Sequence, residues 1–259
     1  MSIPKIIHYC WFGRGSKPEL ALKCIESWKK YCPDYEIVEW NEDNFDVMSL
    51  PFTKEAYESR KFAFVTDYVR LYAMYHHGGI YMDTDVEVRK SLDPFLKYQG
   101  FSGFEAPEKV PTGIMAGEKG FPLFAQLMEY YTDRHFLTPD GQMDMTTNVV
   151  IITEILTKLG LTLNGQFQIV DGFALFPTDY FCPKDPITRE LHMTENTAVI
   201  HHFDGSWMTP ERKKELEEYR KVTKLFGVST GERILLARDL LKNEGFTALV
   251  RRVIDHFKK

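Results

Sequence analysis

His76-His77-Gly78-Gly79-Ile80-Tyr81-Met82-Asp83-Thr84-Asp85-Val86-Glu87-Val88-Arg89 is the stretch whose reading decides the fold. Gly78-Gly79 closes a helical pattern, because glycine tolerates the left-handed turn that ends helices. Ile80-Tyr81-Met82 reads as a short strand, and Val86 and Val88 resume its alternation. Asp83 and Asp85 stand at the strand's end, two residues apart, where both carboxylates can reach one point. Hard divalent cations such as Mn²⁺ or Mg²⁺ take oxygen ligands and share coordination with phosphates. In open α/β sheets, ligands bind outside the carboxyl ends of the strands. Taken alone, the tripeptide reads as a solvated acidic turn, the usual fate of such a sequence; the apolar run before it favours the site.

Working outward, residues 61–77 form a helical pattern with Phe64, Val65, Tyr68, Val69, Leu71, Tyr72 and Tyr75 clustered to one side. Asp67 and Arg70 lie at i and i+3 on one face. They read either as a surface ion pair or, given their apolar neighbours, as a charged pair at the rim of a pocket. Before this helix, residues 3–12 read as a strand, 18–31 as a helix bearing Leu20, Cys24, Ile25 and Trp28, and 35–40 as a second strand. That β-α-β opening predicts a parallel start to the sheet. Trp11, at the end of the first strand, is either a core residue or a stacking platform for a nucleobase. After the acidic pair come short strands and loops over 100–117, helices over 121–131 and 148–159, one or two strands over 166–180, and a strand over 198–203. The last strand runs into His201-His202-Phe203-Asp204-Gly205-Ser206-Trp207, a turn able to close over a substrate.

The 259 residues are 44% hydrophobic and 14% aromatic, enough for a real core. No apolar run is long enough to span a bilayer, and the N-terminus lacks the pattern of a signal peptide. Cys10, Cys24, Cys32 and Cys182 form no CxxC pair, so free buried thiols and a cytoplasmic location are expected. Residues 211–259 carry 13 Lys/Arg against 8 Asp/Glu, a balance of +5; the whole chain stands at −5, which leaves −10 on the first 210. The acidic body argues against nucleic acid as a partner. We therefore expect a domain over 1–210 and a basic helical extension over 211–259, with helices near 211–226, 231–244 and 246–257. Arg212, Lys213, Lys214, Arg220, Lys221, Lys224, Arg251, Arg252, Lys258 and Lys259 either form a solvated face or attract anionic lipid, making the protein peripheral on the inner face of the cell membrane.

The segments IPKIIHYCWFG, FAFVTDYVRLYAMYHHGGIYMDTDVEV and VIHHFDGSW, spread over residues 3–207, together resemble the bacterial DxD-motif sugar transferases. That family includes capsular and exopolysaccharide enzymes and is related to yeast initiating mannosyltransferases and clostridial glucosylating toxins. The resemblance implies a GT-A type, Rossmann-like mixed α/β sheet flanked by helices. It implies a retaining, metal-dependent transfer from a nucleotide-diphosphate sugar, a UDP-sugar, to a saccharide acceptor that is oligosaccharide or lipid-linked, in surface polysaccharide synthesis. By resemblance, Asp85 and Asp83 would serve the Mn²⁺ (or Mg²⁺) and the donor, and Asp67 and Arg70 would hold the sugar. Trp11, with Tyr81 nearby, would meet the base, and Ser206 and Trp207 would close over the donor. His202 fits a His-x-x-Gly metal turn of related galactosyltransferases, while toxins use a serine there, so His202 and Ser206 both stand as the third ligand. Asp144, Asn148 and Asp171 are candidates for the acceptor or sugar side. The alternative is a non-catalytic sugar-nucleotide or carbohydrate-binding protein on the same fold. A glycosidase is disfavoured, because its two acids must flank a bond about 5–9 Å apart.

Overall fold

Nine short strands and eight helices occur among the residues that the computed structural model describes, 2–206 and 208–243. Residues 2–186 with 190–206 form one unit, and 187–189 with 208–243 form another. The helix expected over 246–257, with Arg251, Arg252, Lys258 and Lys259, lies outside the described residues, as does Trp207.

The first unit opens as expected. Strand β1 (Ile6–Cys10), helix α1 (Glu19–Tyr31) and strand β2 (Glu36–Trp40) form the β-α-β start, with β1 and β2 parallel. Helices α2 (Pro51–Glu58) and α3 (Phe62–His77) lead to β3 (Gly79–Met82), which pairs parallel with β1 on its other side. Strand β4 (Val86–Val88) then leaves the main sheet. Strands β5 (Gly100–Gly103) and β6 (Ile114–Gly117) fill the punctuated region, followed by α4 (Pro122–Glu129), α5 (Asn148–Lys158), β7 (Gln168–Val170), β8 (Phe173–Phe176), the single turn α6 (Thr178–Phe181) and β9 (Val199–His201). The seven-stranded sheet runs β2-β1-β3-β6-β5-β8-β7. Pairing is parallel for β5 with β8 and antiparallel for β3 with β6, β6 with β5 and β8 with β7. This is the mixed sheet flanked by helices expected of a GT-A type chain.

The inner strands β3, β5, β6 and β8 are buried on both faces, so they read as apolar runs rather than alternations, whereas the edge strands β2 and β7 are partly exposed. Tyr81, Met115 and Leu175 pack with Phe64, Val65 and Val69 of α3 and with Phe124 and Ile152 of α4 and α5. Ile80, Met82, Ile114 and Ala174 face the other way, onto Cys24, Ile25 and Trp28 of α1. Trp28 Nε1–H also donates to the Val86 carbonyl at 2.7 Å, tying α1 to β4. Gly79 is required where α3 gives way to β3. Its φ is +108°, and a Cβ there would lie 2.6 Å from the Ile6 carbonyl oxygen.

In the second unit, α7 (Pro210–Phe226) and α8 (Val228–Asn243) form a helical hairpin through Gly227 at φ +77°. Thr209 caps α7 by accepting from Arg212 N–H. Close approach is set by Gly231, where a Cβ would stand 2.9 Å from Thr223 Cα. Leu225, Phe226 and Val228 are exposed at the turn. Among the described residues no helix is long and apolar enough to cross a membrane. All four cysteines are free and buried.

Candidate active site

The acidic pair occupies the turn between β3 and β4, at the carboxyl end of β3. Asp83 N–H donates to the Gly113 carbonyl at 2.8 Å, so the turn is pinned to the start of β6. Strand β4 pairs antiparallel with β9, with Val86 opposite His201 and Val88 opposite Val199. That register delivers a histidine to the aspartates. Asp83, Asp85 and His201 each offer a ligand atom within 4.8 Å of the others. His201 Nε2 lies 3.4 Å from Asp85 Oδ1. Asp85 Oδ2 accepts from Asp204 N–H at 2.8 Å.

The histidine at this point is His201, not His202 as the His-x-x-Gly pattern suggests. His202 Nε2 instead meets Glu87 Oε2 at 2.9 Å. Neighbouring residues of an extended segment point to opposite faces, so only one of the two rings can reach Asp85, and Asp85, in the turn before β4, meets His201. Burial opposes ionisation of Asp85, but His201 and the Asp204 N–H outweigh it and hold the carboxyl below its usual value. Burial likewise opposes the charged His201 ring, and Asp85 reverses the sign, raising the imidazole. Two carboxylates and one imidazole are a fitting donor set for a borderline-hard divalent cation such as Mn²⁺.

Arg70 is the second centre. It is buried, and its Nη2 lies 3.2 Å from Asp67 Oδ1 and 3.4 Å from Asp83 Oδ1. Nη1–H donates to the Thr112 carbonyl at 2.8 Å, and the guanidinium sits 4.8 Å from the centre of the Tyr81 ring. The structure therefore joins the helix pair to the acidic turn, as a buried cluster rather than a surface ion pair. Burial, partly offset by Arg70, pushes the Asp67 carboxyl up to about 7.

Tyr81 differs from expectation. It is 1% exposed and covered by Arg70, so it offers no face to a base. Its role is to donate from its hydroxyl to Asp83 Oδ1 at 2.7 Å. Trp11 is half-buried just beyond β1, its Nε1–H donating to the Gly15 carbonyl at 2.7 Å and Lys17 Nζ 5.7 Å from its ring centre. Ser206 is exposed at the end of the His201–Gly205 turn, and Trp207 lies outside the described residues.

The three acceptor-side candidates separate. Asn148 is buried, donates to the Asp67 carbonyl at 2.7 Å and accepts from the Tyr131 hydroxyl, so it supports α3 from behind. Asp144 pairs with Arg134 at 2.7 Å. Asp171 precedes β8 at the end of the sheet opposite Asp83, since the register aligns Phe173 with Gly100, Gly117 and Gly79. The residues that sequence reasoning missed, His201, Gly113 and the Thr112 carbonyl, gather through pairing between segments distant in sequence. The adjacent histidines were the only local signal for one of them.

Residues 18–102 match the glycosyltransferase sugar-binding region containing DXD motif. Inositol phosphoceramide mannosyltransferase 3 of Schizosaccharomyces pombe is 32% identical over 131 residues, covering 49% of this chain and 36% of the relative. Mannosyl phosphorylinositol ceramide synthase CSH1 of Saccharomyces cerevisiae is 28% identical over 131 residues, covering 49% and 35%. An uncharacterized glycosyltransferase, L373, of Acanthamoeba polyphaga mimivirus is 28% identical over 221 residues, covering 79% and 84%. The chain thus spans about a third of the length of the two yeast relatives. Among solved structures, a glycosyltransferase involved in glycosylation of the major capsid of PBCV-1 superposes with TM-score 0.45 at 12% identity, covering 83% of this chain and 100% of that one. The galactosyltransferase LgtC, with donor and acceptor sugar analogs, gives TM-score 0.37 at 17% identity, covering 82% and 94%. Residues 18–102 of this chain thus match the model of the DXD-motif glycosyltransferase sugar-binding region, and the chain is similar in sequence to the yeast mannosyltransferases.

Proposed function

We propose that this chain is a metal-dependent, retaining glycosyltransferase that moves a hexose from a nucleotide-diphosphate sugar, in the first instance a UDP-sugar, to a saccharide acceptor. The observation that carries this reading is the convergence of Asp83, Asp85 and His201 beside the buried Arg70 at the carboxyl end of β3. Asp83, Asp85 and His201 would hold a Mn²⁺ or Mg²⁺ ion, which supplies Lewis-acid stabilisation of a departing diphosphate. Tyr81 and Arg70 orient Asp83, while Asp204 N–H fixes one oxygen of Asp85. Arg70 also supplies fixed positive charge where negative charge develops, at no reorganisation cost. Asp67 and Arg70 are read as the sugar clamp, and Trp11, half-buried beyond β1, as the base platform. Asp67 and Asp83 are both engaged by Arg70, which supports a same-face, retaining transfer over a double displacement.

The acceptor is read as lipid-linked, because two relatives carry inositol phosphoceramide or phosphorylinositol ceramide in their names. The product is read as a surface polysaccharide. The free, buried thiols support a cytoplasmic location. The α7–α8 turn, with exposed Leu225, Phe226 and Val228 beside Lys221 and Lys224, supports peripheral contact with an anionic membrane. Turnover of UDP- and GDP-hexoses with Mn²⁺ tests the central reading. Release of nucleoside diphosphate that vanishes in Asp85→Ala is expected. Tight donor binding without turnover for any acceptor would instead identify a sugar-nucleotide-binding protein.

A further inference from the structure

His201 Nδ1 is buried and meets no oxygen or nitrogen partner, and the buried Cys182 thiol stands beside the ring. An imidazole that ligates a cation through one nitrogen is ordinarily oriented by a hydrogen bond from the other to a carboxylate, carbonyl or water. Here the weakly hydrogen-bonding Cys182 thiol leaves much of that part to packing. Phe203 stacks on the His201 ring with centroids 4.0 Å apart and planes inclined by 28°. Gly113 closes another side: a Cβ there would stand 2.6 Å from His201 Cε1 and 2.9 Å from Nδ1. Phe203 has φ +53°, a left-handed conformation disfavoured for a bulky residue. Glycine would adopt this φ with less strain, so the phenylalanine is explained by what its ring touches. The same turn aims the next amide, Asp204 N–H, at Asp85 Oδ2 at 2.8 Å.

We infer that Phe203 is a positioning residue of the candidate cation site, holding His201 against Asp85 by its stacked ring and its left-handed turn. The inference rests on reading Asp83, Asp85 and His201 as cation ligands, and deepens it. Phe203 touches neither the ion nor the donor in this account. It acts only through the ring orientation of His201 and the placement of the Asp204 amide.

The test compares the full-length wild type with Phe203→Gly, Phe203→Tyr and His201→Ala by Mn²⁺ titration calorimetry, with metal-free melting in parallel. Phe203→Gly is expected to melt close to the wild type and bind Mn²⁺ about 10-fold more weakly, the lower end of outer-shell effects on metal sites. Phe203→Tyr keeps the stack and is expected to retain wild-type affinity. Should the glycine variant unfold, Phe203→Asn repeats the measurement with a residue that tolerates left-handed backbone. Wild-type Mn²⁺ affinity in the glycine or asparagine variant overturns the inference, as does a tyrosine variant as weak as the glycine one. If His201→Ala binds Mn²⁺ normally, the ligand assignment itself fails. A loss in His201→Ala with none in Phe203→Gly removes only the role of Phe203.

Discussion

His201 Nε2 lies 3.4 Å from Asp85 Oδ1, whereas the next ring, His202, meets Glu87 at 2.9 Å. Two adjacent histidines thus serve separate ends, and their substitutions should separate too. His201→Ala removes one of three candidate ligands and should abolish or greatly weaken Mn²⁺ binding and turnover. His202→Ala leaves Glu87 with Lys23 at 3.1 Å and Arg89 at 2.8 Å. Its cost should be about 1 kcal/mol, or about 2–4 °C in melting temperature, with Mn²⁺ affinity retained. Calorimetric titration of both variants checks this; equal losses of affinity would refute the separation.

Two buried groups should bend the pH dependence of stability in opposite directions. Trp40 Nε1–H, which can only donate, meets His8 Nδ1 at 3.1 Å, so Nε2 carries the proton and donates to the Gly78 carbonyl at 2.8 Å. Burial lowers the His8 ring from 6.5 to about 4. The unfolded chain therefore binds the proton first, and stability is lost as pH falls through 6.5 to 4. Asp67, raised from 3.8 to about 7, has the reverse sign: the folded state holds the proton, and stability is lost as pH rises through that interval. Between about pH 4.5 and 6.5 each contributes about 2 kcal/mol, and the two should nearly cancel. Asp67→Asn should leave a stability that climbs with pH across this window, and His8→Gln one that declines. Chemical denaturation at several pH values reads the slopes; parallel profiles for the two variants would show that the assignments are wrong.

The cluster behind the helix pair makes a third case. Asn148 bridges the Asp67 carbonyl and the Tyr131 hydroxyl, both in the interior. Asn148→Ala leaves these two groups without that partner, at a cost of about 2–3 kcal/mol. If Asp67 holds the donor sugar, loosening its backbone should also raise KM for the sugar nucleotide more than it lowers kcat. Steady-state kinetics with a denaturation curve checks both. A stability loss with unchanged KM would make Asn148 a purely structural residue.

How far the sequence shows this depends on the range of the interaction. The β-α-β opening, the long helix ending at Gly78-Gly79 and the acidic turn follow from local periodicity, and the i, i+3 spacing puts Asp67 and Arg70 together. What it hides is set by pairing. His201 rather than His202 reaches Asp85 because β9 lies against β4 while Asp85 turns out of the strand, which no local pattern around residue 201 encodes. Tyr81 looks available in an aromatic strand, yet α3 lays Arg70 over it. Asp171 reads like any other acidic turn until the strand directions put it at the far end of the sheet. The tripeptide marks the place, and long-range register chooses its partners.

Arg70 gives the last prediction, because it contacts the helix, the acidic turn and the loop before β6 together. It meets Asp67 at 3.2 Å, Asp83 at 3.4 Å, the Thr112 carbonyl at 2.8 Å and the Thr66 carbonyl at 3.3 Å. A guanidinium can serve all four through its fork of donors, whereas lysine is a single point charge on a flexible stem. Arg70→Lys should therefore fold with modest loss yet reduce kcat/KM by about 100-fold, the scale of removing one preorganised donor. Arg70→Met keeps the volume and removes the charge, leaving the buried Asp67 and the partly buried Asp83 without their shared counter-charge, at a cost of up to about 3 kcal/mol. Protonation of Asp67 relieves part of that cost, so the Arg70→Met deficit should be smaller at about pH 5.5 than at about pH 8, given a carboxyl already near 7 beside the arginine. Denaturation of both variants at the two pH values, alongside donor turnover for Arg70→Lys, decides it. A methionine variant equally destabilised at both pH values would mean that the two carboxylates do not share the electrostatic coupling assigned to them.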